Sequence, residues 1–255
     1  MTSTSLPPSL HLPEDVQAFL VRYVTQVKDD VGQDLGGLLL FGSAVRGDFI
    51  VGRSNLNILV IVRSLSVDLL QRAGRLHQQW EKHQIVAPLL MTEGDLVQSG
   101  RLFPLESLQM SQHHLVLAGQ DPFMTLPIDP MCLAWECEHE LMANVLRVRQ
   151  RFIEGGGRIE AIQALLMLSI TAVLPCIRGL FHLLQEPAKG KDIEILEHLP
   201  ATFQFDSTTF LEVLHIKRGL SSPGSLEWTK VYDRYLQNLG LFLDRVHAMR
   251  QEGRL

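Results

Sequence analysis

The residues that could do chemistry lie in one stretch, where a glycine-rich loop joins two apolar segments. The first segment, Leu38–Phe41, runs directly into Gly42 and Ser43. Glycine permits a tight turn and a close approach of a ligand to the backbone, and we expect Ser43 to cap a short helix that starts at Ala44. Free N–H groups at such a helix start favour an anion, typically a phosphate. The pattern therefore predicts a phosphate-binding turn.

Two arginines and two asparagines follow this turn in the sequence. Arg46 and Arg53 could place positive charge beside a phosphate. Asn55 and Asn57 introduce the second apolar segment, 57–62. Both segments are continuous apolar runs, which indicates strands that are buried on two faces.

The whole segment from Leu39 to Val62 resembles the nucleotidyltransferase superfamily, which includes kanamycin nucleotidyltransferase and the minimal nucleotidyltransferases. In that family an apolar strand ends in Gly-Ser, a loop of roughly 9 to 13 residues follows, and Ser-Asp-x-Asp opens a second apolar strand. The matching positions are Gly42, Ser43, Arg46, Gly47 and Ser54. The resemblance implies an α+β fold, with a nucleotidyltransferase-type mixed sheet flanked by helices and followed by an all-helical bundle domain.

This chain departs from the family at its two aspartates, because Asn55 and Asn57 stand in their places. In the family these carboxylates hold two magnesium ions against a nucleotide triphosphate, and the ions neutralise developing charge. Magnesium prefers anionic oxygen ligands, and an amide oxygen carries no charge. The family's third carboxylate lies on the next strand, whereas the segment Ile85–Met91 contains no acid. We therefore expect no catalytic residues and no metal site.

Three functions remain open. The first is a non-catalytic protein that binds a nucleotide such as an NTP, with weak or no Mg²⁺ dependence, or a regulatory ligand or protein partner. The second is an active enzyme that transfers NMP from an NTP through a rearranged metal site of Asp48, Glu93 or Asp95. The third is a structural oligomer with a closed cleft. The predicted nucleotide-binding residues are Gly42, Ser43, Arg46, Arg53, Ser54, Asn55 and Asn57, although the two asparagines also fit polar residues that simply begin a strand.

Other polar groups suggest weaker alternatives. His113 and His114 follow a predicted strand and could supply a general base, although a capping or surface role is the simpler interpretation. Three glutamates crowd one predicted helix, where a solvated acidic face is favoured over a relic of the family's general base; they are Glu136, Glu138 and Glu140. A zinc site at Cys132, Cys137 and His139 has no standard spacing, so buried thiols are favoured.

Composition limits the partners. The net charge of −5 over 255 residues gives no global basic surface, so nucleic acid is not an expected partner. Three cysteines are too few for a disulfide framework, and we expect reduced thiols and a cytoplasmic location. The apolar run 164–177 is shorter than the roughly 20 residues of a membrane span, which predicts a buried core helix. By analogy with related two-domain enzymes, we expect a homodimer.

The remaining pattern predicts the elements that position these residues. Predicted strands cover 38–41, 57–62, 85–91 and 105–110. Predicted helices cover 13–30, 66–83, 131–153, 159–184, 210–218 and 228–250. Prolines cluster between Asp121 and Pro130, where the pattern changes. We therefore predict a nucleotidyltransferase-like α/β domain over 1–125 and a helical bundle domain over 126–255.

Overall fold

A computed structural model describes residues 6, 10, 12–47, 49, 51–52, 54–186, 191–224 and 227–255. The chain divides into two compact units, Met1–Ile128 and Asp129–Leu255. The first unit combines a sheet with helices, and the described part of the second unit is helical.

The first unit is built on a four-stranded mixed sheet. Its helices are α1 (Glu14–Val31), α2 (Ser43–Arg46), α3 (Val67–Trp80), α4 (Glu93–Leu102) and α5 (Pro104–Gln112), and its strands are β1 (Leu35–Phe41), β2 (Asn57–Val62), β3 (Leu89–Thr92) and β4 (His114–Gly119). The strand order is β3-β2-β1-β4, in which β2 and β3 are parallel and the other pairs are antiparallel. The predicted α+β class with a mixed sheet is confirmed.

Both faces of this sheet are covered, which explains the continuous apolar runs in β1 and β2. Alternate residues of a strand point to opposite faces. On one face Leu40 and Val60 pack with apolar residues of α1 and α3. On the other face Leu39 and Leu59 pack with Leu96 of α4. The two central strands are therefore packed on both sides.

The predicted strand over 105–110 is wrong, because this segment forms α5. Pro104 suits the first helical position, where its missing N–H costs no hydrogen bond. Leu105 and Leu108 are buried one helical turn apart, and the hydroxyl of Ser107 bonds that of Ser99 in α4 at 2.9 Å. The fourth strand is β4, which begins at His114, four residues after the end of the predicted strand.

The third strand is shorter than predicted. Ile85 forms only an isolated bridge to Leu56, and regular pairing of β3 with β2 starts at Leu89. Pro88 lies between these two points and has no N–H to donate. As expected for a strand next to a proline, β3 lies at an edge of the sheet.

The second unit consists of helices in its described part. They are α6 (Pro130–Gly155), α7 (Ile159–Leu183), α8 (Asp192–Phe203), α9 (Thr208–Lys217) and α10 (Trp228–Gln251). Gly156 ends α6 in the left-handed conformation, with φ 59°, as the glycine run predicted. Sequence analysis missed α8, whose last turn contains Pro200, a residue that usually marks a break.

By length and composition alone α7 could cross a membrane, but 67% of its most apolar 18-residue stretch is buried inside the structure. Leu166, Ile170 and Ile177 are fully covered. This agrees with the predicted core helix, since a helix that is apolar on most sides suits the centre of a bundle.

A buried polar cluster connects three helices of this unit. Ser169 of α7 donates its hydroxyl proton to Asn144 Oδ1 of α6 at 2.8 Å and lies 2.8 Å from the hydroxyl of Tyr235 in α10. Asn144 Nδ2 donates in return to the Ser169 carbonyl at 3.1 Å. Each group is therefore satisfied away from water, and burial raises the pKa of Tyr235 so that its phenol stays neutral.

Removing the hydroxyl at the centre of this cluster should destabilise the second unit. We expect Ser169→Ala to cost about 1–3 kcal/mol, because Asn144 Oδ1 and the Tyr235 hydroxyl lose a buried partner. Urea unfolding followed by far-UV circular dichroism measures this. Thr171→Ala, an exposed hydroxyl on the same helix, is the control and should change stability by no more than about 0.5 kcal/mol. Equal effects of the two substitutions would contradict the assignment.

Candidate functional site

The candidate site lies at one end of the strands, where β1 finishes and β2 begins. This end of the sheet is called the Gly42 edge, and the other end is the opposite or far edge. Gly42 follows β1 with φ 85° and ψ −147°, a backbone conformation that residues with a side chain rarely adopt. Its N–H donates to the His113 carbonyl at 3.4 Å, and its carbonyl accepts the N–H groups of Val45 and Arg46, both at 3.1 Å. This turn therefore requires glycine, as the sequence analysis proposed.

Ser43 does not cap the helix, contrary to prediction. It is the first residue of α2, and the cap position is Gly42, which offers no side-chain hydrogen bond. The N–H groups of Ser43 and Ala44 come before the first hydrogen bonds of α2, so they have no carbonyl partner within that helix. The turn thus presents backbone donors beside a residue that has no side chain.

Asn57 is the predicted site residue that the sheet brings against Gly42. The pairing of β1 with β2 places Asn57 opposite Phe41. A Cβ added to Gly42 would lie 2.8 Å from Asn57 Nδ2. The half-buried Asn57 amide therefore occupies the space directly beside the turn.

The other predicted site residues are less closely connected to the turn. Arg46 ends α2 and is exposed, and Asn55 is exposed just before β2. Ser54 is half-buried, and its carbonyl accepts a hydrogen bond from Gln84 Nε2 at 2.5 Å. Arg53 and Asp48 lie outside the described residues. Of the predicted set, the structure brings together Gly42, Ser43 and Asn57.

Glu93 and Asp95 lie at the opposite end of the strands from Gly42, so neither of these two predicted metal ligands lies beside the turn. They begin α4 after Thr92, which pairs with Val62 at the far end of β2. Asn57 begins β2, and five strand residues separate the two ends by about 17 Å. Asp95 accepts the backbone N–H and the hydroxyl of Thr92 at 2.9 and 2.7 Å, which completes a capping box.

His114 and Asp121 form a pair that sequence analysis did not foresee. His114 lies opposite Phe41 on the other side of β1. Its Nε2 is 3.1 Å from Asp121 Oδ2, and its Nδ1 is 3.0 Å from the carbonyls of Met110 and Ser111. Both ring nitrogens are thus engaged with oxygen acceptors. The contacts of Nδ1 with carbonyls in the last turn of α5 agree with the capping role considered for His114.

In the second unit the predicted solvated acidic face is wrong for Glu138. Its side chain is only 16% exposed, and its carboxylate bonds Arg250 and His247 of α10. Burial raises the pKa of Glu138. The hydrogen bonds and charges of Arg250 and His247 lower it more, so the pKa lies below its usual value. Glu138 therefore joins α6 to α10 and is not available as a base.

The cysteine cluster does not converge. Cys137 is buried, with its thiol 3.7 Å from the Cys176 carbonyl, whereas His139 is exposed on the same helix. Burial raises the pKa of the Cys137 thiol. Among the described residues, no group of three or more His, Cys, Asp or Glu side chains is placed to hold a metal ion.

The sequence and the fold were compared with those of known proteins. No protein-family model and no curated protein matches the sequence. The chain is similar to the spectinomycin adenyltransferase AAD(9) from Enterococcus faecialis, whose crystal structure contains ATP and spectinomycin. The TM-score is 0.54 and the identity 13%, over 89% of this chain and 98% of that chain. The fold is nucleotidyltransferase-like. At this identity, the likeness shows the fold alone.

The glycine requirement at the turn can be tested by adding one methyl group. Gly42→Ala should destabilise the protein by about 1–2 kcal/mol, because alanine disfavours positive φ and its Cβ meets the Asn57 amide. Gly74→Ala is the matched control: it lies within α3 with open space around it and should stabilise by about 0.5–1 kcal/mol. Chemical denaturation measures both. Two substitutions of the same sign would refute this account of the turn.

The capping role of Asp95 predicts a pH dependence. The Thr92 backbone N–H, followed by the Thr92 hydroxyl, lowers the pKa of Asp95. Its stabilising effect is therefore complete above the pKa of the unfolded chain and is lost as the pH falls through the lower folded-state pKa. We expect Asp95→Ala to lower the melting temperature at pH 7, with a smaller difference from wild type in acid.

Nucleotide and Mg²⁺ affinity should not change in Asp95→Ala. A melting difference that grows toward low pH would contradict the capping role. A selective loss of Mg²⁺ binding would instead point to a metal ligand at the far edge of the sheet.

Proposed function

We propose that this chain is a degenerate nucleotidyltransferase-like protein, which binds a nucleotide at the Gly42 turn and does not catalyse nucleotidyl transfer. The observation that carries the proposal is the contact geometry of Asn57. An uncharged amide lies beside the bare turn, at the position where the resemblance expects a metal-binding carboxylate.

The electrostatics of this edge argue against metal-dependent catalysis. Two amides in place of two carboxylates remove two negative charges from the expected magnesium site. Asp121 contacts His114 of this edge, and both of its oxygens accept hydrogen bonds, from the His114 ring and from the Phe123 N–H. A loss of even about 4 kcal/mol of transition-state stabilisation slows a reaction roughly a thousandfold.

The same edge still suits a phosphate group. Gly42 exposes backbone where any side chain would collide with Asn57, and the N–H groups of Ser43 and Ala44 start α2. Arg46 adds an exposed guanidinium at the end of this helix, which could pair with a phosphate. Without carboxylates, the turn has less need of a cation to offset repulsion from a triphosphate. The proposed binding is therefore insensitive to magnesium.

The proposal extends to the domains, the location and the assembly of the protein. The two compact units would correspond to a nucleotidyltransferase-like domain and a helical bundle domain, near the predicted boundary at 125–126. The reduced thiols suit a cytoplasmic protein. A homodimer is the proposed assembly, with a regulatory ligand or a further protein as alternative partners of the Gly42 edge.

Calorimetric titration with ATP and GTP, with and without Mg²⁺, tests the proposal. We expect nucleotide binding that Mg²⁺ changes less than about twofold, and no pyrophosphate release. Gly42→Val should abolish binding, and circular dichroism checks that it folds. Arg46→Gln is a milder variant that should weaken binding several-fold. Its control is Arg63→Gln, an exposed arginine that follows β2 at the opposite edge, which should have no effect.

Restoring the carboxylates supplies a complementary test. The double substitution Asn55→Asp and Asn57→Asp should make nucleotide binding Mg²⁺-dependent, because it returns two anionic ligands to the site. Mg²⁺-dependent turnover by the wild-type chain would overturn the proposal in favour of an active enzyme. An absence of nucleotide binding by the wild-type chain would favour a structural role with a closed site.

A further inference from the structure

A polar groove lies between α1 and α3 in the first unit. Its volume is about 440 Å³, which is within the range of small-molecule pockets. Most of its lining side chains are polar or charged; they are Gln26, Asp29 and Asp30 of α1 and Arg72, Arg75 and Gln79 of α3. None of these residues belongs to the Gly42 edge, so the groove is distinct from the candidate nucleotide site.

The charges of this α1–α3 groove are separated by helix. Both acids lie on α1 and both arginines lie on α3, so the two walls carry opposite charges that sum to zero. Arg72 is already engaged, because it donates to the Asp30 carbonyl and to the Asp68 carboxylate. The carboxylates of Asp29 and Asp30 and the guanidinium of Arg75 form no ion pair with one another or with any other described residue. Opposite charges therefore line one groove without neutralising each other.

This charge pattern selects a ligand that carries both signs of charge. A simple anion would be attracted to Arg75 but repelled by the two acids, and a simple cation would meet the converse. A zwitterion can direct an ammonium group toward the acids and a carboxylate toward Arg75. The guanidinium suits this role because it can bind a carboxylate through two parallel hydrogen bonds.

A narrow crevice continues from the groove toward the sheet. It shares Asp30, Arg72 and Leu76 with the groove. Its other walls are mainly apolar and include Val60 of β2 and Leu90 of β3. Its volume of about 20 Å³ leaves room for one group of the size of a water molecule. A ligand in the groove can therefore extend only a short substituent into this crevice.

Tyr23 lines the crevice and carries a polar group that the described chain does not satisfy. Its side chain is fully buried, and its hydroxyl oxygen has no hydrogen-bond partner among the described residues. Burial raises the pKa of Tyr23 to about 12, so the phenol is neutral at pH 7 and can donate or accept a hydrogen bond. Because an unsatisfied buried hydroxyl is costly, a polar group that enters the crevice would be stabilised there.

We propose that the α1–α3 groove binds a small hydroxylated amino acid. Its ammonium group lies at the acids of α1, its carboxylate lies at Arg75, and its side-chain hydroxyl enters the crevice beside Tyr23. Asp29 and Arg75 are exposed, so water screens their ion pairs with the ligand and each contributes little. We therefore expect weak binding, with a dissociation constant on the order of 1 mM.

Titration of the full chain with L-serine and L-homoserine, followed by the NMR shifts of backbone amides in α1 and α3, tests this inference. The two probes carry their hydroxyl at different distances from the charged groups, and at least one should bind. Acetate and methylammonium, which each carry one of the two charges, should bind at least about tenfold more weakly. If neither amino acid bound below about 50 mM, or if acetate or methylammonium bound equally well, the proposal would be overturned.

Variants of the two walls test the charged contacts. Arg75→Gln, and separately the double substitution Asp29→Asn and Asp30→Asn, should each weaken binding about threefold. Asp15→Asn changes an exposed acid near the start of α1 that does not line the groove, and it should leave binding unchanged. Equal effects of the wall variants and this control would contradict the assignment of the ligand charges.

The hydroxyl contact is tested by matched ligands. The better probe should bind about tenfold more tightly than its analogue without the hydroxyl, because only the hydroxyl gives Tyr23 a partner. The analogues are L-alanine for L-serine and L-α-aminobutyrate for L-homoserine. Tyr23→Phe removes an unsatisfied group, so it should fold, and it should abolish this preference. A preference that persisted in Tyr23→Phe would refute the hydroxyl site. The titrations contain no nucleotide, so their outcome is independent of the proposed function.

Discussion

The pairing of β1 between β2 and β4 is the constraint on which the candidate site depends. It places Phe41 opposite both Asn57 and His114, and it fixes where the chain must turn. Because apolar residues cover both faces of the sheet, a slip of one residue would move each core side chain to the opposite face, where its packing neighbours differ. The left-handed Gly42 beside the Asn57 amide is thus a consequence of strand register, which the apolar core enforces.

Much of this edge could be predicted from the sequence, because β1, β2 and the glycine turn depend on local patterns. The errors arose where tertiary contacts decide. The segment at Leu105 has an apolar pattern too short to separate a strand from a helix; in the structure it is a helix whose Ser107 bonds Ser99 of α4. Glu138 looked solvated because no local pattern reveals its partners on α10, 109 and 112 residues away. Asp121 was missed for the same reason, since its pairing with His114 exists only in the folded chain.

The nucleotidyltransferase-like fold of this chain is stabilised by contacts that involve no metal site. The sheet is stabilised by buried residues such as Leu39, Leu59 and Val60, and those contacts require no carboxylate or metal. Glu93 and Asp95 are acidic residues, but they lie at the far edge, where Asp95 caps α4. The presence of acids in the sequence therefore says little about catalysis until the sheet topology assigns each one to an edge.

The two asparagines also have a consequence for stability without metal. Alternate residues at a strand start lie about 7 Å apart, so two carboxylates at positions 55 and 57 would repel each other unless a cation lay between them. Asn55 and Asn57 carry no charge, so this repulsion is absent. A chain with amides at these positions avoids an electrostatic cost that two carboxylates would carry when no cation lies between them. On this argument, uncharged residues at positions 55 and 57 favour a strand start that is stable without a bound cation.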